Sequence, residues 1–211
     1  MSDLPKKLDG VEFLECEEYI HDLKQELDRP FSDLKIIIFK LTYSRLFKIL
    51  FPAIERGLEN GAQVELFLDG IFSHERLTKG LFIVPFGENL REEERMQKEL
   101  DAALERLKSK GAKISYFNRP NWFNKNILPF AFRDHRKLVL IKRENGGDLG
   151  YFGATNLDDG YQNDFMIKVT NKSVLHTLQK FADHDWMERR QDDIEEKINE
   201  KLEEMAKNYG K

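Results

Sequence analysis

The apolar positions fall into two recurring rhythms. "DLKIIIFKLTY" (residues 33–43) is an apolar run rich in β-forming residues, as in a strand buried on both faces. Leu46, Ile49, Leu50, Ile54 and Leu58 then share one helical stripe. That spacing predicts an amphipathic helix capped by Ser44 and ended by Asn60-Gly61. "AQVELFLD" (62–69) reads as a strand again. Strand, helix and strand in this order predict parallel strands joined by a right-handed crossover. Upstream, Phe13, Tyr19, Ile20, Leu23 and Leu27 predict a helix over 11–28, stopped by Pro30.

Residues 70–89, with Gly80 and Gly87, read as irregular. A charged helix is predicted over 90–110, ending at Gly111, and "KISYF" (113–117) is a third strand. A loop with two prolines, 118–132, leads to a strand over 135–141. "RENGGD" is a turn, "LGYFG" and "DFMIKV" are strands, and Ser173 opens a helix running to about Met187. Beyond it Ile194, Ile198, Leu202, Met205 and Tyr209 form a narrow apolar seam on a charged helix, which suits docking on a partner helix or on its own domain. The prediction is an α/β domain over 1–187, with a mixed and mostly parallel sheet flanked by helices, and a charged helical extension over 188–211.

Composition narrows the function classes. Hydrophobic residues make up 40% of the 211 positions and charged residues 34%, so the chain is a globular one with a sizeable core. Cys16 is the one cysteine, which excludes an intramolecular disulfide and fits a reducing, cytoplasmic setting. "MSDLPKKLDG" lacks the apolar core of a secretory signal, and no apolar run reaches bilayer-spanning length, so membrane contact is expected to be peripheral. The net charge of −4 argues against a globally nucleic-acid-binding surface. Yet Arg106 to Arg143 holds eleven Lys/Arg and only one acidic residue, Asp134, a stretch that would attract an anion.

Within that stretch lies "RDHRKLVLI", residues 133–141. On a strand His135 and Lys137 project from one face, about 7 Å apart, and Arg136 from the other. The buried run that follows places the pair where a core strand emerges. An imidazole can act as nucleophile or proton shuttle, and an ammonium neutralises a phosphate oxygen. Downstream, Gly153-Ala154-Thr155-Asn156 combines small residues with an amide able to bind a phosphoryl oxygen.

These residues resemble the signature of the phospholipase D superfamily: H-x-K, then an aspartate, then a short strand ending in G-G/S-x-N. The matches are His135, Lys137, Gly153 and Asn156, with Ala154 in the small position. The order of "IIIFKLTY", "AIERGLENGAQVELFLDG", "YFNRP", "RDHRKLVLI", "GYFGATNLDD", "NDFMIKV" and "FADHDW" is similar to the first half of bacterial cardiolipin synthases, over about residues 14–187. The resemblance implies that His135 attacks phosphorus to form a phosphohistidine. It implies that Lys137 and Asn156 hold the phosphoryl oxygens, with Arg133, Gly153, Ala154 and Thr155 around the substrate. It implies no metal and no cofactor.

Two departures stand out. The aspartate expected after four intervening residues from Lys137 is Lys142, and Asp148 in the longer turn is the candidate to replace it in space. The family pairs two motifs, one histidine as nucleophile and the other as general acid and base. Here there is one, because His21, His74, His176 and His184 lack the pattern. The resemblance therefore implies a homodimer, or a second chain supplying the other half. Three functions stay open. One is a phospholipid-cleaving or phosphatidyl-transferring enzyme, favoured by the aromatic-basic loop with Phe117, Trp122, Phe123, Phe130 and Phe132. The others are a homodimeric endonuclease and a catalytically silent half-domain used for binding or assembly.

Overall fold

The computed structural model describes residues 7–38, 41, 45–69, 89–117, 137–155 and 164–183. Eight strands form one sheet: β1 (Lys7–Leu8), β2 (Val11–Glu15), β3 (Asp33–Ile38), β4 (Gln63–Asp69), β5 (Lys113–Phe117), β6 (Leu138–Lys142), β7 (Leu149–Gly153) and β8 (Phe165–Val169). Four helices accompany them: α1 (Cys16–Asp28), α2 (Arg45–Glu59), α3 (Asn89–Ser109) and α4 (Lys172–Asp183). The strand order is β1-β2-β8-β7-β6-β3-β4-β5.

The predicted β-α-β unit is present, with β3 and β4 parallel and Asp33 opposite Gln63. The sheet is α/β and mixed as expected, but its balance differs. Only β3–β4 and β4–β5 are parallel; β1–β2, β2–β8, β8–β7, β7–β6 and β6–β3 are antiparallel. The reason lies in the short connection at 143–148, with Gly146 and Gly147 at positive φ, which reverses the chain where a parallel crossover would need a dozen residues or more.

A second difference concerns 11–28. Val11–Glu15 is a strand paired with β8, and the helix starts at Cys16. Tyr19, Leu23 and Leu27 do form the buried helical stripe. Phe13, grouped with them by spacing, is instead 42% exposed on β2. The carboxylate of Glu18 accepts the Glu15 N–H at 3.0 Å and so caps the true helix start. Likewise α4 is capped by Asn171, whose Oδ1 accepts the Ser173 and Val174 N–H groups at 3.0 and 3.3 Å. The residues 70–88, 118–136 and 188–211, with Ser44, lie outside the described ones.

Alternation along the strands divides the core into two layers. Leu34, Ile36, Leu66, Val139, Tyr151 and Met166 face α1, α2 and α3. Ile37, Leu138 and Leu140 face α4 through Leu175, Leu178 and Ala182. Polar links pin the layers. The Tyr151 hydroxyl donates to Asp22 at 2.6 Å, and Lys168 donates to Asp22 and Glu26 at 2.9 and 3.0 Å. Arg143 joins Glu26 at 2.7 Å and Arg29 joins it at 3.2 Å, so with Lys168 a nearly buried carboxylate is matched by three cations. On the other face Lys35, itself buried in the sheet, donates to Asp183 at the end of α4 at 2.6 Å and pairs with Glu65 at 3.1 Å.

Candidate active site

The pairings orient every strand. Because β3, β4 and β5 run together and β6 opposes β3, one edge of the sheet collects the ends of β3, β4, β5 and β7 and the starts of β6 and β8. Strand-end edges of this kind hold the ligand crevices of open α/β sheets. Lys137 stands at that edge, immediately before β6, and is half-buried. The strand begins at Leu138, three residues later than the sequence reading placed it. The four residues Leu138 to Ile141 are buried, as the apolar run predicts.

Fifteen residues downstream, β7 ends at the same edge. The Gly153 N–H donates to the Lys137 carbonyl at 3.2 Å, which sets the lysine directly against the end of β7. The Ala154 N–H donates to the Phe165 carbonyl at 3.1 Å and ties the turn to β8. Ala154 is exposed, whereas Thr155 is 2% exposed and its hydroxyl finds no hydrogen-bond partner among the described residues.

The structure therefore brings together Lys137, Gly153, Ala154 and Thr155. Arg133, His135 and Asn156 lie outside the described residues. The glycine has a reason that the sequence reading did not supply. A Cβ at Gly153 would lie 2.5 Å from the Phe165 carbonyl oxygen, so its smallness serves the approach of β8.

Position 142 and Asp148 are elsewhere. Lys142 closes β6 at the opposite edge, about 16 Å from Lys137 at 3.3 Å per residue. Asp148 caps the turn there by accepting the Arg143 N–H at 2.9 Å. Asp148 thus does not replace the motif aspartate near the lysine, because a five-residue strand separates the two ends. His21 sits on α1, where its Nε2 lies 2.8 Å from Gln25 Nε2, and His176 is exposed on α4. Neither is at the site edge. Among the described residues no cluster of three or more His, Cys, Asp or Glu is arranged for a metal ion. Among them, too, no helix is long and apolar enough to cross a membrane.

No family model and no curated protein matches the sequence. Solved structures do match the fold. A phospholipase D family member, Nuc from Salmonella typhimurium, superposes with a TM-score of 0.52 at 11% identity, over 83% of this chain and 91% of Nuc. The fold is that of the phospholipase D superfamily. NucT from Helicobacter pylori matches this phospholipase D fold with a TM-score of 0.50 at 12% identity, over 85% of this chain and 95% of NucT. Phosphatidylserine synthase from Haemophilus influenzae matches with a TM-score of 0.50 at 10% identity, over 83% of this chain but only 36% of the synthase. In this phospholipase D fold the chain carries Lys137 and Gly153 at neighbouring ends of the adjacent strands β6 and β7.

One feature of the surface was not legible in the sequence. Phe13, Phe165, Val174 and Phe181 are exposed at 42, 50, 36 and 61%. Phe13 lies opposite Ile167 and Phe165 opposite Glu15, on the side of the sheet that bears α4. Helical spacing had hidden Phe13, and the strand pattern of 164–169 does not say which face stays open.

Proposed function

We propose that the chain is a phosphodiester-cleaving or phosphatidyl-transferring enzyme of phospholipase D type, acting on a phospholipid through a phosphohistidine. The observation that supports this reading is the hydrogen bond between Lys137 and Gly153 at one strand-end edge. His135 precedes Lys137 by two residues and Asn156 follows Thr155 directly. Covalent geometry thus keeps the imidazole-bearing residue within about 7 Å of the lysine, Cα to Cα.

The reaction follows from these groups. One imidazole nitrogen of His135 attacks phosphorus, a P–N bond forms and the P–O bond to the leaving alcohol breaks. Lys137 and Asn156 stabilise the charge that develops on the non-bridging oxygens, and Arg133 adds a cation to the approach. The leaving oxygen takes a proton from a second imidazole. Water or an acceptor alcohol, deprotonated by that same imidazole, then attacks phosphorus and the P–N bond breaks.

The second imidazole comes from another copy of His135 in a homodimer, or from a second chain. The exposed Phe13, Phe165 and Phe181 support such an assembly, because an apolar surface left on a single copy favours association. A two-fold axis would bring the same residues to the site twice.

The test joins mass to activity. Light scattering of the full chain is expected to show a dimer at micromolar concentration. Phosphatidylglycerol vesicles are expected to release glycerol in a His135-dependent manner, with His135→Ala inactive. Cleavage of single-stranded DNA in place of lipid would move the assignment to the endonuclease reading. A monomer inert toward both, with His135→Ala indistinguishable from wild type, would leave a binding or assembly module.

A further inference from the structure

Two clefts open at the edge of the sheet away from Lys137, and both are walled by the Gly146-Gly147 turn. In the larger, about 840 Å³ beside the end of α1, the cations are already matched: Arg29, Arg143 and Lys168 all pair with Glu26. The smaller cleft, about 560 Å³ against α4, is different. Lys142, Lys172 and His176 line it, and none of the three forms an ion pair with a carboxylate among the described residues. The proposed chemistry uses none of them either.

The strand and helix periods explain the grouping. Lys142 follows Leu138 and Leu140 on the face of β6 that α4 covers. Lys172, Leu175, His176 and Gln179 recur at helical spacing along α4. Across the ladder Lys142 is opposite Asp33, so the two share a face, yet their charges do not close into an ion pair. Burial raises the Asp33 pKa against the pull of Lys35 and Lys142, so a donor placed beside this carboxylate would restore hydrogen bonding that burial removes. Asp148 is the second carboxylate of the cleft, and Leu140 and Leu175 give it an apolar wall. Cations and carboxylates thus stand apart in a space of the size that small-molecule sites occupy. A bare anion would use only the cations. A ligand with a dianion at one end and hydrogen-bond donors at the other would use both sets.

We propose that this cleft is a second ligand site, for a small phosphomonoester: Lys142, Lys172 and His176 donate to the phosphate, and Asp33 and Asp148 accept from the hydroxyl or ammonium groups of its organic end. Exposed lysine heads on flexible stems can converge on one phosphate. The site uses no residue of the Lys137 edge and stands apart from the reading of the catalytic chemistry.

Titration calorimetry of the full chain tests it with glycerol 3-phosphate, phosphoethanolamine, inorganic phosphate and glycerol. At least one ester is expected to bind with Kd of about 1 mM or tighter, and more tightly than inorganic phosphate, with glycerol not binding. The tighter ester identifies the donor, hydroxyl or ammonium. Lys142→Met is expected to weaken the ester about tenfold, as for one lost hydrogen bond to a charged group, and Lys142→Arg to restore most of it. Lys172→Met and His176→Leu should each weaken it too. Asp33→Asn should weaken the ester but not inorganic phosphate. Inorganic phosphate binding as tightly as both esters overturns the assignment to a phosphomonoester. So does the absence of binding up to about 10 mM of either ester. Binding that survives Lys142→Met but is lost in Lys137→Met locates the phosphate at the other edge and overturns the proposal while leaving the proposed function standing.

Discussion

Gly153 connects the fold to the site, so replacing it by alanine is the most informative single perturbation. The added Cβ would sit 2.5 Å from the Phe165 carbonyl oxygen and 3.0 Å from the Met166 Cα and Sδ. The sulfur can swing away. The carbonyl cannot, because it accepts the Ala154 N–H at 3.1 Å within the β7–β8 pairing. Relief must come from the end of β7 moving off β8, which carries Ala154, Thr155 and Asn156 with it. Overpacking of this kind costs about 1–3 kcal/mol, and losing the Ala154 bond adds about 1 kcal/mol. Restriction of the unfolded chain returns about 0.5 kcal/mol, leaving a net loss of about 1.5–3.5 kcal/mol. Gly150→Ala is the control. Its Cβ would meet the Leu140 and Leu175 Cδ2 atoms at 2.8 and 3.1 Å, two side-chain tips that can rotate, so the net cost is expected near zero. Urea titration with m-values compared measures both, and phosphodiester turnover reads the shift of the turn. Equal costs for the two variants, or full activity in Gly153→Ala, would refute the argument that backbone contact at Phe165 positions the turn.

Three further outcomes follow from the polar links. Tyr151→Phe keeps the ring against Tyr19 but removes the 2.6 Å bond to Asp22, and denaturant titration should show a loss of about 1.5–3 kcal/mol, as for a hydrogen bond to a charged group. Burial drives the Tyr19 hydroxyl far above the ordinary phenol range; burial and then Asp22 do the same to Tyr151. A raised folded pKa means that stability is lost as pH rises above the unfolded value of 10.0, so absorbance at 295 nm should show these two phenols ionising only as the chain unfolds. Burial raises the Asp183 pKa, but the hydrogen bonds from Lys35 and Gln179 and the nearby lysine charges together outweigh it and hold the carboxyl below 3.8; burial likewise opposes Lys35, whose bonds to Asp183 and Glu65 and their charges hold it above 10.5. Asp183→Asn should therefore cost no more than about 1 kcal/mol near neutrality, because Asp183 is half exposed. That gap should close as pH falls below 3.8, and the lysine's share should fade as pH rises above 10.5. A gap that persists at pH 2 would show that the pair does not pin α4.

Local pattern determined much of this protein. The apolar run at 33–38 and the stripe of Leu50, Ile54 and Leu58 are self-contained signals, because burial on one or two faces is written in spacing. They yielded the parallel β3–β4 pair, and the buried run after Lys137 located the lysine at a strand's start. Val11–Glu15 was different. Five residues that carry a helix-compatible spacing become a strand because β8, some 150 positions away, offers an open edge. The antiparallel majority of the sheet, the separation of Asp148 from Lys137 and the carbonyl behind Gly153 are equally non-local. Side-chain periodicity states which face is buried; it does not name the strand that will lie alongside. Tertiary pairing alone set Gly153 against Lys137, two residues that the sequence leaves sixteen positions apart.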